Sequence, residues 1–461
     1  MVSEWLNFLL IDGLIVLGEL LVIVALLHMI YQRKTPSSMI AWMLAIVMLP
    51  HVAVPLYFIV GSRKRRNRYY KAGVDLRETE VPAHANPIDG ILRSNGIPGA
   101  TSGNRLRMIF DGTDAFESLM KEIESATQSI WISTYVFKTD SVTAEIIDAL
   151  IAKRREGVEV KLLIDALGSW QLYFWQYRLR PLRQAGVQIC FFMPILRMPL
   201  RNYINLRNHR KIYLFDQRTV LTGGMNLSGE YMGPAPDPAR WEDLLFLAEG
   251  PAVYHYAEIF SADWAYAAET EPAVPAPPRR TDGDTYIQVV PSGPDIKGDA
   301  LFETIISAIY SAKARIWIVT PYFVPDASLM QALIIARNKG IDVKLITPRE
   351  SNHLLADLAR SSYMRELEEA GVHVALYEGR MLHAKAILFD DLGAMLGSVN
   401  LDNRSLLLNY EVVSFAYSEK IIRETETWMQ GLLERCTLTV RTAGTVRRLG
   451  ENLMRVIAPE L

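Results

Sequence analysis

Two long stretches of this 461-residue chain follow one plan about 180 residues apart, and that internal repeat limits the possible folds more than any other feature. The first copy runs ESLMKEIESATQSIWISTYVF (117–137), a helical stretch, then GVEVKLLID (157–165). The second runs FETIISAIYSAKARIWIVTPYF (302–323), a helical stretch, then GIDVKLITP (340–348). Further on, AGVQICFF (185–192) matches AGVHVALY (370–377). In each copy a helix-period segment leads into an apolar strand, and a second helix and strand follow. Such alternation predicts an α/β sandwich built twice. A Pro-rich polar stretch, 268–285, separates the copies.

Each copy carries the same polar constellation. The first has His209, Lys211 and Asp216 in NHRKIYLFD and, after six intervening residues, Gly223-Gly224-Met225-Asn226. The second has His383, Lys385 and Asp390 in LHAKAILFD and, after six more, Gly397-Ser398-Val399-Asn400. A His and a Lys two apart on a strand point to one face, so Arg210 and Ala384 between them point away. Asn226 and Asn400 arrive from the following turn with amide hydrogens to donate. Two facing copies put two imidazoles, two ammoniums and two amides around one point, which suits a single phosphate diester. One imidazole can attack phosphorus while the other protonates the leaving oxygen, so the chemistry calls for no metal and no cofactor. A metal site is also disfavoured by the Lys beside each His, because a fixed ammonium repels a cation. One His-x-Lys alone would be weak; the matched duplication carries the inference.

The N-terminus has a different composition. Gly13–Tyr31 is apolar except for Glu19 and His28, and Met39–Val60 has His51 as its one ionisable residue. Each approaches the ~20 residues that a helix needs to cross a bilayer. Met1–Trp5 has no basic residue, which argues against a cleaved signal peptide. Arg33 and Lys34 lie between the stretches, and Arg63, Lys64, Arg65, Arg66, Arg68 and Lys71 follow them. The larger cluster predicts a two-helix hairpin with both termini and the catalytic part cytoplasmic, and it would attract anionic lipid headgroups. A formal charge of −2 argues against nucleic acid as a partner. The two cysteines, Cys190 and Cys436, make neither a disulfide framework nor a zinc site.

The copies differ at one place. Gly186 to His209 spans 23 residues, whereas Gly371 to His383 spans 12. The longer stretch contains FFMPILRMPLRNYINLR (191–207), and SWQLYFWQYRLRPLR (169–183) lies nearby. Aromatic and aliphatic residues mixed with Arg, without acids, suit a bilayer interface, with Phe191, Phe192 and Ile195 as lipid-facing candidates.

The motif pair, H-x-K-x4-D-x6-G-[GS]-x-N twice, resembles the phospholipase D superfamily. The two apolar stretches, RWED (240–243), NYEV (409–412) and TPYFVPD (320–326) look like the bacterial cardiolipin synthases within it. The resemblance covers essentially the whole chain. It implies two fused, pseudo-symmetric phospholipase D-like α/β/α sandwich domains that share one active site and follow two transmembrane helices. The units expected are 1–71 anchor, 72–104 linker, 105–267 first domain, 268–285 linker and 286–461 second domain. The resemblance makes His209, Lys211, Asp216, His383, Lys385 and Asp390 the catalytic set, with a phosphohistidine intermediate. Family habit favours His209 as nucleophile and His383 as acid and then base. It also sets a carboxylate against the outer nitrogen of each histidine; Asp243 and Glu411 fit, with Glu242 as an alternative to Asp243. Asp216 and Asp390 close the motifs and are expected to hold structure. Asn226, Asn400 and Ser398 are phosphate-binding candidates, and since Gly224 matches Ser398, a hydroxyl contact to phosphate is expected on one side only. The function implied is transfer of a phosphatidyl group from one phosphatidylglycerol to another, giving cardiolipin and glycerol, at the bacterial inner membrane. Alternatives are a phospholipase D that uses water, a transferase with another alcohol or donor lipid, and a nuclease, which the apolar stretches and the charge disfavour.

Overall fold

The repeat becomes one continuous sheet in a computed structural model of the chain, which describes residues 2–31, 36–60, 71, 73–74, 76–78, 86–196, 206–438 and 444–457. The first half contributes β1 (Thr101–Ile109), β2 (Ser129–Thr134), β3 (Glu159–Asp165), β4 (Gln188–Phe192), β5 (Ile212–Phe215), β6 (Thr219–Gly223) and β7 (Leu245–Glu249). The second contributes β8 (Thr285–Ser292), β9 (Arg315–Val319), β10 (Phe323–Val324), β11 (Asp342–Pro348), β12 (His373–Tyr377), β13 (Ala386–Phe389), β14 (Gly393–Gly397), β15 (Leu401–Asp402), β16 (Glu411–Ala416) and β17 (Cys436–Thr437). The order is β17-β12-β11-β9-β13-β14-β16-β8-β1-β7-β6-β5-β2-β3-β4, with β10 and β15 paired apart. Antiparallel pairing of β1 with β8 fuses the halves, and outward from that seam each strand except the edge strand β17 has its counterpart.

Local chemistry explains the layers. β2, SIWIST, is buried along its whole length, as a parallel strand covered on both faces must be. On one face lies helix Gly112–Ser125, started by the Asp111 carboxylate accepting from Thr113 N at 2.7 Å, and it buries Ala115, Phe116, Leu119 and Ile123. On the other face, helices Ala252–Ala268 and Glu419–Leu433 cover a core shared by both halves, with Phe246, Phe260, Val412 and Met429 among its members. The expected pair of α/β/α sandwiches is thus one sheet with a common inner layer.

Two regions differ from the sequence expectation. The segment 72–104 is more than a linker: it holds helix Pro87–Ser94 and the start of β1. That helix begins at Pro87, whose missing N–H costs nothing there, and Asn86 caps it by accepting from Ile88 N at 2.9 Å. The apolar N-terminus folds as helices Val2–Tyr31, Pro36–Met48 and Pro50–Val60. The single helix expected over Met39–Val60 is divided at Leu49, where Pro50 has no N–H to donate, although Leu49 N still donates to Ala45 O at 2.9 Å and Leu49 O accepts from Ala53 N at 2.8 Å. Among the described residues, no helix is long and apolar enough to cross a membrane. The three helices bury Ala25, Met29, Trp42, Ile46 and Tyr57 against one another and leave Leu20, Ile23, Leu27, Leu44, Val47 and Val52 exposed. The basic residues at 33, 34, 63–66 and 68 lie outside the described residues; Lys71 does not, and it is buried.

Candidate active site

The two motif histidines sit on extended lead-ins just before β5 and β13, not within the strands. The reason is what grips them. His209 N–H donates to Tyr410 O at 2.8 Å, and His383 N–H donates to Glu242 O at 2.6 Å. Each is therefore held by the other half of the chain, through the bridges Asn208–Tyr410 and Glu242–Leu382.

The residue that follows each gripping carbonyl supplies a carboxylate. Asp243 Oδ2 lies 2.7 Å from His383 Nδ1. Glu411 Oε1 lies 3.3 Å from His209 Nδ1, although that buried oxygen makes no hydrogen bond. The pairs are crossed, each histidine meeting an acid from the opposite half. Glu242, the alternative to Asp243, faces away and binds Tyr377 Oη at 2.9 Å and the Arg380 guanidinium. Alternation along the strand leading to β7 sends neighbouring carboxylates to opposite sides.

Around the Asp243–His383 pair the electrostatics are tight. Burial would raise the Asp243 carboxyl, but Lys385 and His383 hold it below the usual range, and its Oδ1 accepts from Leu244 N at 2.7 Å. Lys385 Nζ approaches His383 Nδ1 at 2.7 Å and Nε2 at 3.1 Å and also donates to His383 O. Nδ1 cannot donate to a carboxylate and accept from an ammonium at once. The ionised, buried Asp243 makes Nδ1 the protonated nitrogen and leaves Nε2 for the cleft. Burial, and next the Lys385 ammonium, push His383 down to about 3. Burial pushes Lys385 down to about 7 and also lowers Lys211, whose Nζ donates to His209 O at 2.8 Å. An anionic diester between them would raise all three.

One cleft of about 430 Å³ is lined by His209, Lys211, Asn226, His383, Lys385, Ser398 and Asn400. Asn226 accepts from Val136 N at 3.1 Å and donates to Tyr231 Oη at 3.1 Å. Asn400 donates to Ser405 Oγ at 3.2 Å, and its Oδ1 is buried without a hydrogen-bond partner. Ser398, on the cleft lining, donates from Oγ to Glu411 Oε2 at 2.5 Å and accepts from Val412 N at 3.1 Å. Its counterpart is Gly224 because a Cβ there would collide with Asp243 Oδ1. The Gly/Ser difference therefore serves the two carboxylates.

Asp216 and Asp390 are absent from the cleft lining. They stand at the far ends of β5 and β13, at φ 51° and 45°. Asp216 accepts from Gln128 N at 2.7 Å and Ser129 N at 2.8 Å, and Asp390 accepts from Lys313 N and Arg315 N, both at 2.6 Å. Each ties a strand end to the start of β2 or β9. The motif reading missed the aromatic walls. Tyr135 packs on His209 with ring centres 3.9 Å apart and planes tilted by 41°, and Tyr231 and Trp241 flank His383 at 5.2 and 5.3 Å. For Tyr135 the sequence signal was the aromatic residue at the end of the buried strand in STYVF, matched by Tyr322 in TPYF, whose ring lies 6.3 Å from that of His383; Tyr231 and Trp241 had no such signal. In the insert, Phe192 is wholly buried against Tyr266 and Tyr410, so it is no lipid contact; 197–205 lies outside the described residues.

Comparison with known proteins agrees with this geometry. The family described as cardiolipin synthase, PLD-like domain, matches residues 119–264 and 305–433. A phospholipase D-nuclease N-terminal family matches 20–62. Cardiolipin synthase A of Pseudomonas aeruginosa is 33% identical over 97% of this chain and 96% of its own length. Cardiolipin synthase 1 of Bacillus cereus is 31% identical over 93% and 90%, respectively. Among solved structures, the phosphatidylserine synthase of Haemophilus influenzae superposes with a TM-score of 0.62 over 82% of this chain and all of its own, at 16% identity, which speaks for the fold alone. A chain matched over both halves and through its N-terminal segment belongs to the cardiolipin synthase family of phospholipase D-like enzymes.

Proposed function

We propose that the chain is a phosphatidyltransferase that joins two phosphatidylglycerol molecules into cardiolipin and releases glycerol. The observation that carries this reading is the crossed pairing: two imidazoles on one cleft, each with a buried carboxylate from the other half and a lysine beside it. A carboxylate at Nδ1 fixes the tautomer, so Nε2 is the nitrogen that reacts, and it stabilises the imidazolium formed later.

The sequence of steps follows. The donor's diester lies between Lys211 and Lys385, whose charges offset its own. His209 Nε2 attacks phosphorus and forms a P–N bond. The P–O bond to the headgroup glycerol breaks, and His383, protonated once the anion is in place, gives its Nε2 proton to the leaving oxygen. A second phosphatidylglycerol offers a headgroup hydroxyl, His383 takes its proton, and the oxygen displaces His209 from phosphorus. Asn226 and Asn400 orient the non-bridging oxygens. The identity of the relatives supports the lipid class, and the exposed apolar surface of the three N-terminal helices supports seating in a membrane. The catalytic halves lie on the cytoplasmic side of the inner membrane in this reading, so a reporter fused after Leu461 should behave as cytoplasmic.

The test is lipid analysis after incubation of the purified full-length chain with phosphatidylglycerol alone. Cardiolipin and free glycerol in equal amounts are expected, and His209→Ala or His383→Ala should each abolish both. A product dominated by phosphatidic acid would make water the acceptor and the chain a phospholipase.

A further inference from the structure

Lys71 stands at the end of the basic run that follows the apolar N-terminus, yet its ammonium is inside the catalytic body. Nζ lies 2.5 Å from Asp263 and 2.6 Å from Asp295, and all three side chains are buried. Arg210, the residue between His209 and Lys211, completes the cluster. Its Nη1 meets Asp263 at 2.8 Å and its Nη2 meets Asp295 at 3.1 Å, with the guanidinium wholly buried. Two cations and two carboxylates balance. Asp263 belongs to helix Ala252–Ala268 of the first half and Asp295 follows β8 of the second, so the cluster joins both halves to the N-terminal segment.

The cluster reaches the reacting group through the backbone. Arg210 Nε donates to Glu411 O at 3.0 Å, and Nη2 donates to Ser292 O at 3.2 Å. Lys71 Nζ and the Arg210 guanidinium lie 5.7 and 5.4 Å from the centre of the Tyr410 ring, and Tyr410 O is the acceptor for His209 N–H. The cluster therefore holds the Glu411 carbonyl through Arg210 and packs against the ring of Tyr410, whose carbonyl fixes His209. The His383 side is built differently. Ala384 replaces Arg210, and the Asp243–His383 pair is locked by its own 2.7 Å contact. Glu411 Oε1 has no hydrogen bond, so the reach of that carboxylate to His209 is set by Ser398 Oγ on Oε2 and by the backbone carbonyl that Arg210 holds.

We infer that Lys71 is a positioning residue for the His209–Glu411 pair, through which the segment next to the membrane bears on one of the two histidines. The inference rests on the reading of His209 as a reacting group.

The experiment uses the full-length chain and short-chain phosphatidylglycerol in detergent micelles, so that seating on a bilayer does not limit turnover. Lys71→Met should lower kcat about tenfold or more and leave KM within about twofold, since small misplacements of reacting groups cost rate steeply. Lys71→Arg should keep most of the rate. The double variant Lys71→Met/Asp295→Asn, which restores the charge balance, should fold and recover most of kcat. The inference is overturned if Lys71→Met keeps wild-type kcat, or if the double variant folds as the wild type does and remains as slow as the single one. Should Lys71→Met fail to fold, the double variant and Lys71→Arg decide. His209→Ala runs in parallel: full activity there would overturn the functional reading, whereas an inactive His209→Ala beside a fully active Lys71→Met defeats only the role given to Lys71.

Discussion

Asp243 and His383 are separated by 140 positions in the chain, yet Oδ2 of one lies 2.7 Å from Nδ1 of the other. The site therefore exists only when both halves are docked, because each half supplies the acid that the other's histidine needs. Asp243→Asn keeps the shape and removes the charge that selects the Nδ1–H tautomer. Its kcat should fall about 100-fold or more with little change in melting temperature. Gly224→Ala should do similar harm, because its Cβ collides with Asp243 Oδ1. Ser398→Ala, which removes a hydroxyl bonded to Glu411 and to the Val412 backbone but introduces no collision, should cost less. Steady-state rates on micellar phosphatidylglycerol, with circular dichroism as a check on folding, decide this. Equal losses for Gly224→Ala and Ser398→Ala would count against the explanation of the Gly/Ser difference.

The motif aspartates should behave as structural groups. Burial would raise the Asp216 carboxyl, but backbone N–H groups of Ser129, Thr127 and Gln128 hold it below the ordinary carboxylate range. Asp216→Ala should lose about 1 kcal/mol of stability, since the N–H groups of Thr127, Gln128 and Ser129 and the Thr127 hydroxyl lose their acceptor but can mostly turn to water. The turnover of the folded fraction should survive. A depressed carboxyl adds stability above its unfolded pKa, and that share is lost as pH falls through the lower folded value, so the stability gap between variant and wild type should begin to narrow as pH falls below about 4. Melting curves across pH test it. A large loss of kcat with an unchanged melting temperature would return Asp216 to the chemistry.

How much of this was legible in the sequence follows from what each residue interacts with. His209, Lys211, His383 and Lys385 were readable because a period-two pattern leading into a buried strand repeats in both halves. The crossing of the acids was not. Asp243 and Glu411 were expected beside histidines, but the partner of each is set by which strand ends meet across the β1–β8 seam, a tertiary fact. Lys71 was misleading for the same reason. In sequence it extends a basic run next to apolar helices, and only the fold brings Asp263 and Asp295 around it. The helix Pro87–Ser94 was masked by a composition rich in Pro and Asn, which here are its starting cap.

The lysines set the alkaline side of the pH profile. Burial brings Lys385 down to about 7 in the empty cleft. Above that pH the free enzyme loses the ammonium that attracts the diester, whereas the bound anion keeps it protonated. Consequently kcat/KM should fall about tenfold per unit above pH ~7, while kcat stays flatter. Lys385→Arg should move this limb well up, because a guanidinium does not titrate in that range, though at a lower rate from altered geometry. Parallel alkaline limbs in kcat and kcat/KM, unmoved in Lys385→Arg, would show that another group controls them.

The last prediction concerns how lipid reaches the cleft. Leu167 and Gly168 line it, and the chain then turns into the short helix Trp170–Phe174. From there Trp170, Phe174, Trp175 and Tyr177 are 45–55% exposed, with Arg178, Arg180 and Arg183 beside them and no acid from Leu167 to Val187. Aromatic rings with polar tips and nearby guanidiniums match the boundary between headgroups and acyl chains of an anionic bilayer. This surface takes the place of Phe192, which is buried in the core. Trp170→Ser/Phe174→Ser/Trp175→Ser should therefore cut turnover of phosphatidylglycerol in large vesicles about tenfold, yet leave turnover of a dispersed short-chain diester within about twofold. The ratio of the two rates is the measurement, because a general loss of folding would lower both. Equal loss on both substrates would mean that these rings support the cleft wall and not the approach of the lipid.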